Sequence, residues 1–319
     1  MTINEIAAKI KGLKSALIFS HNRPDGDTVG SATALKIALE SLGVKVDLVC
    51  EAAIPEKFKF VKNADSYLLP QSVCGSYGAH IAVDCSVESM FGERSFALYS
   101  KNKLKINVDH HISNSRHGDM NYVEQTAACA EIIYKLIVAL GVTISKDTAD
   151  CLFLGIISDT GGFMHSNVTE NTLFTAAKLA HAGGDVHAIS QNLFKSQPKS
   201  RAKLYARVIS NMRYYLDDRF AVLVINRKDL ADAGATEDMT EGFIDFPMTI
   251  KTVEVGVSLM ETADKRYKVS FRSRGKVNVN EIAAIYGGGG HILASGAVIN
   301  GYLEDIIDKI RYNVQQRLE

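Results

Sequence analysis

Four short stretches of this 319-residue chain bring together side chains suited to chemistry on phosphates. His21-Asn22-Arg23-Pro24-Asp25-Gly26-Asp27 has the form H-x-x-x-D-x-D, Asp84 closes the run AHIAVD, Asp109-His110-His111 closes KINVD, and Asp159-Thr160-Gly161-Gly162 follows an apolar segment. Each alone has an ordinary reading: Pro-Asp and Asp-Gly are common turn formers, and Asp159 can simply open the turn at Gly161-Gly162. Their convergence is harder to explain that way. His21, Asp25, Asp27, Asp84, His110 and Asp159 together offer four carboxylates and two imidazoles with no thiolate. Clustered without cations, the carboxylates would repel one another and some would take up protons. Two divalent ions remove that problem. Oxygen donors mixed with a few imidazoles suit Mn²⁺, with Mg²⁺, Co²⁺ or Fe²⁺ as substitutes, and a bridging carboxylate holds two such ions roughly 3.5 to 4 Å apart.

A fifth stretch, Gly287-Gly288-Gly289-Gly290-His291, offers a different tool. Successive glycines take positive φ and turn backbone N–H groups toward one anion, making a phosphate-binding concavity. Arg272, Arg274 and Lys276 leave the preceding strand and add charge-assisted contacts, the plainer reading being a flexible turn beside solvated bases.

The elements that must position these groups follow from periodicity. Residues 15–20 (SALIFS) read as a buried strand, 28–42 as an amphipathic helix stopped by Gly43, and 44–50 as a second strand, which is a βαβ unit. Residues 79–84 and 105–109 are two further strands, each ending in aspartate. In open α/β sheets ligands gather beyond the carboxyl ends of strands, so Asp84 and Asp109 belong beside the loop that leaves the first strand. Helical patterns cover 129–140, 146–159 and 169–182. Asp159 then lies at a helix C-terminus, where the macrodipole opposes a carboxylate by a few tenths to about 1 kcal/mol and a nearby cation is called for. After about residue 210 strands return at 220–225, 253–260 and 267–272, with a hairpin through 262–265 and a closing helix at 303–318. The fold class is therefore α/β: a parallel-sheet domain with helices on both faces over 1–190, a linker at 191–212, and a smaller α+β domain over 213–319.

Composition narrows the function. Thirty-six basic against thirty-six acidic residues leave no excess charge for tracking long nucleic acid. Five scattered cysteines without a C-x-x-C pair suggest neither a disulfide framework nor a thiolate zinc site, which fits a reducing cytoplasm. The N-terminus lacks a basic-then-apolar leader and no apolar run spans a bilayer, so a cytoplasmic protein with no membrane partner is expected.

HNRPDGD, AVD, VDHH and SDTGG, in that order and spacing, resemble the four motifs of the DHH phosphoesterase superfamily. Gly287 to His291 followed by Ala294-Ser295-Gly296 resembles the GGGH signature of the DHH-associated second domain. Within the superfamily the length and layout are most similar to the bifunctional oligoribonuclease and 3′-phosphoadenosine 5′-phosphate (pAp) phosphatase branch. The resemblance implies that His21, Asp25 and Asp84 hold one metal, and Asp27, Asp84, His110 and Asp159 the other, with Asp84 bridging. It assigns His111 to the substrate phosphate or to proton transfer and Asp109 to orienting a histidine. Gly288, Gly289, Gly290, His291, Arg272 and Arg274 fall to the substrate. It further implies hydrolysis of very short RNA to 5′-mononucleotides and removal of phosphate from pAp, with two divalent ions, Mn²⁺ first. The second domain is expected to grip the far end of the substrate. The expected partners are short RNA and nucleotide phosphates, without long duplexes; a homodimer is compatible.

There is one departure. Family members often carry a basic residue after the D-T-G turn, whereas this chain has Phe163-Met164-His165-Ser166-Asn167, so His165 is the nearest substitute. Three rivals stand beside the main reading. A manganese pyrophosphatase shares the metal motifs but uses a lysine- and arginine-rich grip rather than GGGGH. A phosphodiesterase for a cyclic dinucleotide or its linear product would use the same groove. A non-catalytic nucleotide sensor would be expected to have lost a metal ligand, and all six are present.

Overall fold

Six short strands, each too brief for a helix, form the floor of the first of two compact units, Met1–Ser196. The computed structural model describes residues 1–318. The strands β1 (Ser15–Phe19), β2 (Lys45–Val49), β3 (Tyr67–Leu68), β4 (Ala79–Val83), β5 (Lys105–Asp109) and β6 (Met120–Val123) assemble in the order β3-β2-β1-β4-β5-β6. Every pairing is parallel. Strand order reverses between β1 and β4, so the carboxyl ends of β1, β4 and β5 flank the crevice where such sheets bind ligands.

Helices cover both faces, as the sequence pattern implied. On one face α1 (Ile3–Lys11), α2 (Gly26–Ser41), α4 (Cys129–Ala139), α5 (Lys146–Asp159), α6 (Glu170–His181) and α7 (Val186–Phe194) share a core with Ile18, Leu48, Ile81 and Val108. On the other, α3 (Glu93–Tyr99) packs Tyr99 against Leu17, Phe19, Ala82 and Phe91. Helix α2 is buried almost all round, as a central helix must be. It crosses α5 at two glycines: a Cβ on Gly30 would lie 2.2 Å from the Cys151 carbonyl oxygen, and one on Gly155 would lie 2.5 Å from Asp27 Oδ1.

The second unit begins at Gln197. Residues 199–210, which the sequence reading placed in a linker, form helix α8 (Lys199–Ser210). Leu204 and Val208, four residues apart, bury on one core together with Leu223, Ile225 and Phe243, and this packing is why the basic segment is structured. The remaining elements are β7 (Arg213–Tyr215), β8 (Phe220–Ile225), α9 (Arg227–Ala233), β9 (Val255–Ala263), β10 (Arg266–Ser273), α10 (Val279–Ile285), β11 (Gly289–Gly290), β12 (Ala294–Asn300) and α11 (Leu303–Leu318). Their sheet runs β11-β12-β10-β9-β8-β7 and is mixed, with β8 and β9 parallel and its other pairs antiparallel. The β9–β10 turn falls at Asp264-Lys265, inside the anticipated hairpin, and α10 and α11 cover the face carrying Val257, Leu259, Val269 and Phe271.

Candidate metal centre

The loop after β1 is shaped by its own aspartate. Asp25 caps α2, its Oδ1 accepting from the N–H groups of Asp27 (3.0 Å) and Thr28 (3.1 Å). Thr28 Oγ1 donates to the Val83 carbonyl (3.1 Å), tying that loop to the end of β4. At that end Asp84 takes φ +60°, the left-handed region that Asp tolerates better than most residues, and its carboxylate turns into the crevice.

Around Asp84 the titratable side chains close in from three strand ends and one helix end. His21 Nε2 lies 3.5 Å from Asp25 Oδ1 and 3.6 Å from Asp84 Oδ2. His110 Nε2 lies 3.4 Å from Asp84 Oδ1, 3.6 Å from Asp159 Oδ2 and 3.9 Å from Asp27 Oδ2. Such separations are long for hydrogen bonds and compatible with groups that share a cation. Three sets of potential ligand atoms lie within 4.8 Å of one another: His21, Asp25 and Asp84; Asp27, His110 and Asp159; and Asp84, His110 and His111. All six side chains expected as metal ligands are therefore gathered in one place.

The donor chemistry fits cations. Asp84 is 2% exposed, and its Oδ1 has no hydrogen-bond partner. A buried carboxylate oxygen left unpaired costs heavily unless a positive charge satisfies it. Burial, followed by the charges of Asp27 and Asp25, pushes the Asp84 carboxyl well above its ordinary range. Burial and the charges of Asp27 and Asp84 do the same to Asp159, and burial raises Asp27 as well. Asp25 moves the other way: burial alone would raise it, but the His21 imidazole and the Thr28 and Asp27 N–H groups outweigh that effect. His110 is raised, because Asp27 and Asp159 together overcome the penalty of burying its cation.

Neighbouring groups fix the imidazoles. His110 Nδ1 donates to the Thr126 carbonyl (3.1 Å), which leaves Nε2 for the carboxylate cluster. His111 Nδ1 donates to Asp109 Oδ1 (2.8 Å), while Asn114 Nδ2 holds the other Asp109 oxygen. Asp109 thus sets the ring of His111 and exposes its Nε2. Sequence reasoning missed Asn114 and also Asn167, whose Nδ2 donates to the carbonyls of Asp159 and Ala127 (both 3.1 Å). No spacing rule marks either asparagine: Asn114 holds a side chain five residues away from outside any motif, and Asn167 works through backbone carbonyls brought near only by folding. His165 Nδ1 also lies 3.1 Å from the Asp159 carbonyl, and its ring fills the space that a Cβ on Gly161 would need. A cavity of about 550 Å³ opens on the cluster, lined also by Asn22, Arg23, Ser89 and Met90.

In the second unit Gly287 and Gly290 take φ of +71° and +150°. A Cβ on Gly288 would lie 2.1 Å from the Gly296 carbonyl oxygen and one on Gly290 2.5 Å from the Ala294 carbonyl oxygen, so these two positions must be glycine to lie against β12. His291 closes the turn, its N–H donating to Ala294 O (2.7 Å). Arg272 Nε donates to Asp245 Oδ1 (2.9 Å), and Arg272 lines a cavity of about 330 Å³ with Ser258, Lys268 and Ser270. Arg274 donates to the carbonyls of Val253 (2.6 Å), Met248 (2.6 Å) and Ile250 (2.8 Å), which braces the segment before β9. Lys276 Nζ lies 3.3 Å from Glu254 Oε1.

Fold and site define a two-unit α/β protein whose parallel sheet carries a carboxylate–imidazole cluster that could hold metal ions. Residues 15–156 match the DHH family, N-terminal domain, and residues 217–318 match the DHHA1 domain. The chain belongs to the DHH family. It is 30% identical over 318 residues to the bifunctional oligoribonuclease and PAP phosphatase NrnA of Thermus thermophilus, covering 98% of this chain and 93% of that protein. It is 31% identical to the probable protein of the same name from Streptococcus mutans, covering 96% and 97% of the two chains. A crystal structure of an exopolyphosphatase-related protein from Bacteroides fragilis superposes with a TM-score of 0.90 at 26% identity, covering 99% of this chain and 95% of that one.

Proposed function

We propose that this chain is a metal-dependent phosphoesterase that hydrolyses very short RNA oligonucleotides to 5′-mononucleotides and removes phosphate from pAp. The observation that carries the reading is the ligand set centred on the buried, unpartnered Asp84 Oδ1. The full-length relatives named as bifunctional oligoribonuclease and PAP phosphatase support the substrate class. Two divalent ions, Mn²⁺ first and Mg²⁺ or Co²⁺ next, would supply an activated water at neutral pH and neutralise charge on the phosphoryl group. His21, Asp25 and Asp84 would hold one, and Asp27, Asp84, His110 and Asp159 the other.

The remaining roles belong to the protein's own groups. His111, with Nδ1 committed to Asp109, presents Nε2 to accept a proton or to bind a substrate oxygen. We assign residues 1–190 to catalysis and 213–319 to substrate binding. In the latter we assign Gly288, Gly289, Gly290, His291 and Arg272 to the phosphate grip, with the Gly288 N–H itself held by the Ala283 carbonyl (2.9 Å) so that it shapes the loop, and Arg274 serves mainly to shape its strand. The reading extends to a cytoplasmic setting, supported by five free cysteines, four of them buried. Among the described residues no helix is long and apolar enough to cross a membrane.

The test is a panel: purified protein with Mn²⁺ and, separately, di- to pentanucleotides, pAp, pyrophosphate and cyclic or linear dinucleotide second messengers. Release of mononucleotide from the short RNAs and of phosphate from pAp is the expected result. Turnover confined to pyrophosphate or to a cyclic dinucleotide would replace the reading, and binding with no turnover of any substrate would make the chain a sensor.

A further inference from the structure

Helix α4 starts without the side chain that normally starts a helix. Its N-cap is Ala128, which offers no oxygen to the exposed N–H groups of the first turn. Two of those groups are served from another helix: Cys129 N–H donates to Asp27 Oδ2 and Ala130 N–H to Asp27 Oδ1 (3.0 Å). The third residue of α4 is Glu131, 0% exposed, and its Oε1 reaches back to accept from Ala127 N–H (3.1 Å) and from Thr172 Oγ1 on α6 (3.0 Å). Its Oε2 is buried with no hydrogen-bond partner. Helix capping alone would be served more cheaply by a serine or threonine at position 128, so burying an unpaired carboxyl oxygen here calls for another return.

The loop that Glu131 anchors holds Asp27 and His110 directly and Asp159 through Asn167. Thr126 O accepts from His110 Nδ1 (3.1 Å), the Cys129 and Ala130 N–H groups hold Asp27, and Ala127 O accepts from Asn167 Nδ2 (3.1 Å), which also holds the Asp159 carbonyl. Asp27, His110 and Asp159 form one of the three candidate cation sets, whereas none of these contacts reaches His21 or Asp25. We propose that Glu131 is a positioning residue for the cation held by Asp27, His110 and Asp159, acting through the Ala127 peptide and not through its charge. The proposal rests on the metal-centre reading above. It goes beyond that reading in making one ligand set depend on a side chain that touches none of its members.

Isothermal titration of metal-stripped protein with Mn²⁺ tests this, with melting temperatures taken alongside. Glu131→Asp keeps the charge but is too short to reach Ala127 N–H, and Glu131→Ala removes both. Each should weaken one of the two Mn²⁺ sites by about 10- to 100-fold and leave the other unchanged, the size typical of groups that orient metal ligands. Glu131→Gln keeps the acceptor and loses the charge, and should stay within about threefold of the parent at both sites. Two unaltered sites in Glu131→Asp, equal weakening of both sites, or a Glu131→Gln variant as weak as Glu131→Asp would each overturn the role. If Glu131→Ala does not fold, the Asp and Gln pair still decides it. A parent chain that binds no Mn²⁺ would overturn the metal-centre reading itself, and the proposal with it.

Discussion

At the scale of single residues the site is strained by charge in the absence of cations, and this sets two expectations. Asp84→Asn keeps the left-handed backbone, since Asn tolerates φ +60° as Asp does, and removes the charge shared by two ligand sets. It should lower kcat on a dinucleotide at least roughly a thousandfold, equivalent to about 4 kcal/mol, while raising the melting temperature of metal-free protein. Wild-type turnover in a variant shown to lack metal would refute the ligand assignment. The second expectation concerns pH. Asp84, Asp159, Asp27 and His110 all titrate above their ordinary values, so the folded chain holds more protons than the unfolded one. The stability they contribute is complete below their unfolded values and is lost as pH rises through their folded ones. Asp25 and Asp109 are lowered, and their contribution is lost only as pH falls through and below the ordinary carboxylate range, near 4. Buried His80, also lowered, runs against the raised groups near neutrality but contributes equally with and without metal. The gap in melting temperature between Mn²⁺-loaded and metal-free protein should therefore widen from about pH 6 to pH 8. A gap that narrows would mean the carboxylates are not the groups meeting the cation.

At the scale of elements the site depends on a helix crossing that glycine makes possible. A Cβ on Gly155 of α5 would stand 2.5 Å from Asp27 Oδ1 and 2.7 Å from the Ala130 Cβ, between a ligand and the start of α4. Gly155→Ala should cost roughly 1 to 3 kcal/mol of overpacking, less about 1 kcal/mol of helix propensity regained, and should weaken Mn²⁺ binding. Calorimetric melting and titration on one preparation check both; unchanged metal affinity would mean that Asp27 has room to move. These elements also show what could be read from sequence. Strands β1, β4 and β5 are legible because each is a short five-residue strand that leads into a candidate site residue, and parallel pairing puts those ends together. The edge strand β3 has only two residues, too few to show a period, and β12 is broken by small residues that serve β11 rather than the core. Helix α8 looked like a connector because basic residues mask its two buried positions, Leu204 and Val208. The candidate ligand side chains are marked by type and spacing, whereas Asn114 lies outside any motif though only five residues from the Asp109 it holds, and Asn167 and Glu131 act on backbone groups that only the fold brings within reach.

At the scale of the whole molecule the charge balance bears on substrate length. Thirty-six basic and thirty-six acidic residues leave no net charge, and three of the bases near the candidate grip are already committed. Arg272 is paired with Asp245, Arg274 with three carbonyls, and Lys276 lies 3.3 Å from Glu254. An enzyme that tracks a long strand neutralises many phosphates, and its affinity falls with salt by a log–log slope near −0.7 for each phosphate on single strands. With one glycine loop, His291 and one or two of these bases as its grip, this chain should neutralise about two phosphates, giving a slope no steeper than roughly −1.5. Adding nucleotides beyond those the grip reaches adds ordering cost without new contacts, so substrates of about two to five nucleotides should be preferred. Initial rates on RNAs of two, five and roughly twenty-four nucleotides at about 50 and 200 mM salt put both expectations to the same test. Equal or faster cleavage of the longest RNA with steep salt inhibition would require a basic track beyond this grip, and would make the chain a long-strand exonuclease.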